Sequence, residues 1–125
     1  DTPLFGRCQR ILPNITIDVG HNPLAASVIV NEFKNRKITL IYNSYKDKDY
    51  EEVLTILKPI ISKIIIMPLD DKRIVEKNSL LEIIKQLNII NEKSIKIVEN
   101  EEYLVFGSFL VVEKFLTLIG FNDKS

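Results

Sequence analysis

The sequence holds one cysteine, Cys8, and one histidine, His21, among its 125 residues. A single cysteine cannot close an internal disulfide, which excludes a disulfide framework and fits a reducing cytoplasm. Cys8 and His21 stand apart in sequence, so no metal-ligand spacing is present. There is no Walker A loop, and no G-x-G-x-x-G follows the first strand, which counts against a classical dinucleotide fold. A serine nucleophile at Ser108 lacks both the G-x-S-x-G elbow and a histidine base at hand. Net charge is also missing. Lysine plus arginine number 17, as do aspartate plus glutamate, so no overall field draws the chain to nucleic acid or an anionic membrane. No run approaches the ~20 apolar residues of a membrane-spanning helix. Asp1-Thr2-Pro3 does not resemble a signal peptide, and a chain that does not begin with methionine is expected to be processed or cut from something longer.

What is present is an ordinary globular composition, 46% hydrophobic and 27% charged. At 125 residues it predicts one domain that buries roughly two-thirds of its unfolded surface.

The organising stretch is Ile15-Thr-Ile-Asp-Val-Gly-His-Asn-Pro-Leu-Ala-Ala26. Its β-branched start predicts a strand over 15–19, and Gly20 permits a tight turn. Asn22-Pro23 reads as an N-cap with proline at the first helical position of a helix over 23–35. Ala25, Val28, Ile29 and Phe33 are spaced to share its inner face. Asp18, His21 and Asn22 thus lie where a strand ends and a helix begins, the edge at which open α/β sheets bind ligands.

Strand and helix then alternate. Residues 1–13, punctuated by Pro3, Gly6 and Pro13, read as a linker and extended lead-in. Strands are predicted over 37–43, 63–67 and 103–106, apolar on both faces as buried parallel strands are. Helices are predicted over 49–58, with Val53, Leu54 and Leu57 inward, and from an Asn78-Ser79 cap to Leu87, with Leu80, Leu81, Ile84 and Leu87 inward. Gly107-Ser108 turns into a last helix over 109–118, closed by Gly120. The segment 88–102 admits two readings. A strand over 94–98 would leave about four residues before Tyr103, too few for a parallel crossover. The preferred reading makes 88–90 a short strand and 91–99 a connecting helix, which keeps the sheet parallel. The whole predicts a Rossmann-like, doubly wound α/β domain with a mostly parallel sheet of five to six strands flanked by helices.

Four motifs occur in order beside the predicted sheet edge: Gly6-Arg7-Cys8-Gln9, Asp18-Val19-Gly20-His21-Asn22-Pro23, Tyr45-Lys46-Asp47-Lys48-Asp49 and Val105-Phe106-Gly107-Ser108. Together, from Gly6 to Phe115, they resemble the C-terminal domain of folylpolyglutamate synthase/dihydrofolate synthase, within the Mur ligase superfamily. The family patterns are G-R-x-Q/E, D-x-A-H-N-P, a D-K-D stretch and T-G-S.

The resemblance implies an ATP-dependent amide ligase that joins L-glutamate to dihydropteroate or folate through an acyl phosphate. It implies a partner in the same protein, a larger N-terminal ATPase domain that holds the phosphate loop and the Mg2+, so this domain alone is expected to be inactive. A cytoplasmic monomer is expected. For the nucleotide, it implies Arg7 near the ATP phosphates, Asp18 on ribose hydroxyls, and His21 and Asn22 beside them. The residues themselves leave other roles open: a surface salt bridge for Arg7, helix capping for Asp18 and Asn22, and turn orientation for His21. For glutamate, it implies Lys48 on a carboxylate, Asp47 steering the ammonium, Ser108 at a helix N-terminus that favours a carboxylate, and Phe115 in contact. Here too solvated loop charge, a simple N-cap for Ser108 and core packing for Phe115 compete.

The chain departs from the family patterns at Gly20 (alanine), Cys8 (leucine), Phe106 (threonine) and Asn43-Ser44-Tyr45 (glycine-methionine-leucine before D-K-D). Two further readings stand beside the folate ligase: another Mur-type ligase of cell-wall peptides, and a free-standing nucleotide-binding module without catalysis.

Overall fold

The computed structural model describes residues 6–121. Its elements are β1 (Gln9–Leu12), β2 (Ile15–Asp18), α1 (Pro23–Glu32), β3 (Ile38–Tyr42), α2 (Tyr50–Leu57), β4 (Ile61–Ile66), α3 (Lys77–Gln86), β5 (Ile90–Glu92), β6 (Tyr103–Phe106) and α4 (Phe109–Ile119). The six strands form one sheet in the order β1-β2-β6-β3-β4-β5, parallel throughout except for β1 against β2. This is the expected mostly parallel, doubly wound sheet.

The period-two alternation of the central strands divides the core. Ile38, Leu40, Tyr42, Ile64, Leu104 and Phe106 pack with α1, α2 and α3 on one face. Ile15, Ile17, Ile41, Ile65, Tyr103 and Val105 pack with Val111, Val112 and Phe115 of α4 on the other. Each such apolar side chain, moved fully out of water, contributes about 1.5–3 kcal/mol. Tyr42 and Phe106, on neighbouring strands, stack with ring centroids 6.2 Å apart.

The helix boundaries follow local chemistry. Asn22 caps α1 by accepting the Ala25 N–H at 2.8 Å, with Pro23 at its start, as the sequence predicts. Gly120 ends α4 in the left-handed region at φ +68°. The inner face of α1 is Ala25, Ala26, Ile29 and Phe33, whereas Val28 is 53% exposed. The expected place of Val28 on that face is corrected, because Ala25, Ile29 and Phe33 already form a four-residue repeat that turns it outward. α3 starts at Lys77 after Glu76, so the expected Asn78-Ser79 cap is corrected: both residues lie inside the first turn. Leu80 and Ile84 of α3 are buried, and Leu81 and the C-cap Leu87 are half-buried.

Two further expectations are corrected. Within the lead-in, Gln9–Leu12 is an edge strand, joined to β2 by a short turn at Pro13-Asn14; residues 1–5 lie outside the described residues. The predicted helix over 91–99 is absent. The strand there is Ile90–Glu92, parallel to β4, and residues 93–102 cross to β6 without a helix. Side chains, not i→i+4 bonds, hold that crossover. Asn14 donates to the carbonyls of Val98 and Glu101, both at 2.9 Å. The Tyr103 hydroxyl accepts the Val98 N–H at 3.0 Å and donates to the Lys96 carbonyl at 3.1 Å.

Candidate functional site

β2 and β6 are neighbours in the sheet, yet α1 leaves β2 toward one face and α4 leaves β6 toward the other. A crevice opens at the carboxyl ends of strands at such a switch point. The loops after β2, β6, β3 and β4 all emerge along this edge.

At the end of β2, Asp18 is buried and organises two turns. Its carboxylate accepts the Gly20 N–H at 2.6 Å and the Cys8 N–H at 3.0 Å, and the Arg7 Nε lies 3.7 Å away. Burial pushes its pKa above the usual carboxylate range, against the opposing pull of the Gly20 N–H, the Arg7 charge and the Cys8 N–H. Gly6 (φ +83°) and Cys8 (φ +48°) are left-handed, which folds Gly6-Arg7-Cys8 back onto β2. The Gly6 carbonyl accepts the Val19 N–H. Arg7 thus stands beside Asp18 with its side chain 52% exposed. Burial, with the Asp18 charge adding, also raises the Cys8 thiol above its ordinary range, which fits an apolar filler.

His21 is half-buried, and its Nδ1 meets no hydrogen-bond partner among the described residues. That nitrogen is itself closed to solvent. Gly20, in place of the family's alanine, is tightly enclosed. A Cβ there would lie 2.6 Å from the Ala25 Cβ and 2.8 Å from the Asp18 Oδ1.

The loop after β3 is built from its own polar groups. Asn43 donates to the Met67 carbonyl at 2.7 Å, the Val75 N–H donates to the Ser44 carbonyl at 2.9 Å, and the Lys46 N–H to the Arg73 carbonyl at 2.8 Å. Tyr45 and Ile74 form an antiparallel bridge. The loops after β3 and β4 are therefore stitched together. His21, Tyr45, Lys46, Asp47, Lys48 and Arg73 line one open cleft of about 440 Å³.

Of the sequence-predicted residues, the structure brings His21, Asp47 and Lys48 together in this cleft. Arg7 and Asp18 form a pair at the end of β2, outside its lining. Asn22 is the α1 cap. Ser108 is fully buried and caps α4, its Oγ accepting the Val111 N–H at 3.3 Å. Phe115 is fully buried in the core beneath α4. Sequence reasoning did not single out Arg73 or its partner Asp71. The signal was Asp70-Asp71-Lys72-Arg73, a charged, aperiodic run after a buried strand and Pro68.

No protein-family model matches the chain. It is 34% identical to the dihydrofolate synthase/folylpolyglutamate synthase of Buchnera aphidicola, over 92% of this chain and 32% of that protein. Among solved structures, Helicobacter pylori folylpolyglutamate synthetase is 44% identical with a TM-score of 0.93, over 96% of this chain and 32% of that one. The E. coli FolC structure in complex with ADP, without folate substrate, is 26% identical with a TM-score of 0.78, over 94% of this chain and 32% of that one. The chain spans about a third of the length of these relatives. Over nearly its whole length the chain is similar, in both sequence and fold, to about a third of folylpolyglutamate synthase/dihydrofolate synthase proteins.

Proposed function

We propose that this chain is the C-terminal domain of an ATP-dependent carbon–nitrogen ligase that joins L-glutamate to dihydropteroate, folate or both. The observation that carries the reading is the cleft at the carboxyl edge of the sheet, where His21 meets Lys46, Asp47, Lys48 and Arg73. The kinship with folate-pathway ligases supplies the reaction class and outweighs a cell-wall ligase.

In the proposed reaction, a carboxylate oxygen of the pterin substrate takes the γ-phosphoryl group of ATP. This forms an acyl phosphate and releases ADP. The amine of glutamate then attacks the acyl carbon, loses a proton, and expels phosphate from the tetrahedral intermediate. The role of this domain is binding and orientation. Arg7, a planar fork held beside Asp18 yet open to solvent, suits the ATP phosphates. Asp18 reaches the ribose hydroxyls with the lone pairs its two backbone N–H bonds leave free. His21 packs its ring against the nucleotide, and Asn22 sets the turn that carries it. Lys48 neutralises a glutamate carboxylate, and Asp47 receives the ammonium. Ser108 aligns the α4 N-terminus toward the amino acid, and Phe115 supports that helix from the core.

Magnesium is assigned to the rest of the enzyme. Among the described residues no three histidine, cysteine, aspartate or glutamate side chains gather into a metal site. The larger ATPase domain would supply the ion and the phosphate loop, so this domain alone should release no ADP.

The test uses the full-length parent protein with ATP, magnesium and L-glutamate, following ADP release with dihydropteroate, tetrahydrofolate or a muramyl-peptide precursor. Release that depends on a pterin supports the reading and identifies the glutamylation step. Release with the muramyl peptide alone would reassign the substrate. Silence with all three would favour a non-catalytic module.

A further inference from the structure

We propose that Arg73 reads the second carboxylate of a dicarboxylic amino acid bound in the cleft, and so sets the preference for glutamate over amino acids with uncharged side chains. The inference rests on the ligase reading above and names the residue that selects the amino acid.

Arg73 lies between β4 and α3, with its side chain 66% exposed. An exposed arginine is ordinarily free to change rotamer, and fixing it costs entropy. Here its plane is fixed in advance. Its Nε and Nη2 donate to the two Asp71 oxygens at 2.9 and 2.8 Å, and its Cζ stands 5.2 Å from the centre of the Tyr45 ring. Its backbone carbonyl also takes the Lys46 N–H, which ties it to the loop that carries Asp47 and Lys48.

A guanidinium has five N–H donors in one plane. The side-on pair with Asp71 uses Nε–H and one N–H of Nη2. That leaves both N–H groups of Nη1 and one of Nη2, a second fork with the spacing of a carboxylate. Asp71 thus acts as the positioning residue and Arg73 as the contact.

The charges of the cleft select among anions. It is lined by three cations, Lys46, Lys48 and Arg73, and one acid, Asp47. A polyphosphate would meet Asp47 as a repulsive charge with no compensating role. A zwitterionic dicarboxylate offers two carboxylates to the cations and an ammonium to Asp47. Lysine serves one carboxylate as a mobile point charge, while the arginine fork serves the other as a planar, bidentate partner. An amino acid without the second carboxylate leaves that prepared fork unmatched, the situation in which a site discriminates strongly.

The test is steady-state kinetics of the full-length enzyme with L-glutamate, L-glutamine and L-2-aminobutyrate as acceptors. Arg73→Lys keeps the charge without the fork and is expected to raise the KM for glutamate about tenfold, while Arg73→Ala raises it more. In both, kcat and the KM for ATP stay within about twofold, and the preference for glutamate over glutamine falls by a similar factor. Asp71→Asn, which loosens the guanidinium, raises the glutamate KM by a smaller factor. A glutamate KM unmoved in both Arg73 variants, or a rise matched by the KM for ATP, would overturn the role of Arg73 while leaving the ligase reading in place. Wild-type turnover that does not require L-glutamate would overturn the ligase reading, and this inference with it.

Discussion

The carboxylate of Asp18 accepts the backbone N–H of Cys8, ten residues earlier in the chain, at 3.0 Å. This contact ties the Gly6-Arg7-Cys8 turn to the end of the first central strand and holds Arg7 where a nucleotide would pass. The same carboxylate fixes Gly20 and hence the approach to His21. One buried side chain thus sets the geometry on both sides of the proposed nucleotide site.

Replacing Asp18 by alanine strands two backbone N–H groups, those of Cys8 and Gly20. The expected loss is about 2–4 kcal/mol of unfolding free energy, read by urea denaturation. Asp18→Asn keeps one acceptor oxygen and should lose about half as much. Equal stability of all three proteins would show that the carboxylate does not organise the turns.

Gly107 sits at φ +130°, and a Cβ there would overlap the Asn43 carbonyl oxygen. Both backbone conformation and space exclude a side chain. Gly107→Ala should therefore cost about 3 kcal/mol or more, since Asn43 is buried and anchored to Met67 and cannot withdraw freely. Thermal melting checks this, and a melting temperature within a degree or two of wild type would contradict it.

Acid titration separates two aspartates of opposite behaviour. Asp71 is held down to about 2 by its hydrogen bonds to Arg73. Its contribution is present above the ordinary carboxylate value and is lost as pH falls from about 4 toward 2. Asp18 is raised by burial, so its contribution is fully present below the ordinary value and is lost as pH rises through the raised one. The stability of wild type relative to Asp18→Asn should therefore rise as pH falls from 7 to 4. Chemical denaturation at several pH values measures the difference, and a fall over that interval would reverse the assignment.

The strand-turn-helix at Ile15–Ala26 was legible because each residue obeys a local rule: β-branching, a glycine turn, an asparagine cap, and proline at the first helical position. The charged loop at 45–49 was legible only through the family resemblance, as the counterpart of a D-K-D stretch. β1 was not. Its half-buried Gln9 and Ile11 alternate with exposed Arg10 and Leu12, so apolar residues fall on both phases and hide the period of two. The crossover at 93–102 takes its shape from Asn14 and Tyr103, remote groups that no local pattern announces. Arg73 was hidden likewise, since its place depends on pairing between two loops nearly thirty residues apart.

The central claim is that this edge of the sheet carries a nucleotide side at His21 and an amino-acid side at Lys48. It is tested most directly by titrating ATP and L-glutamate separately against His21→Ala and Lys48→Ala in the full-length enzyme. The account predicts that Lys48→Ala raises the KM for glutamate at least about tenfold and leaves that for ATP within about twofold, with the pattern reversed for His21→Ala. Both variants with both constants unchanged would contradict it.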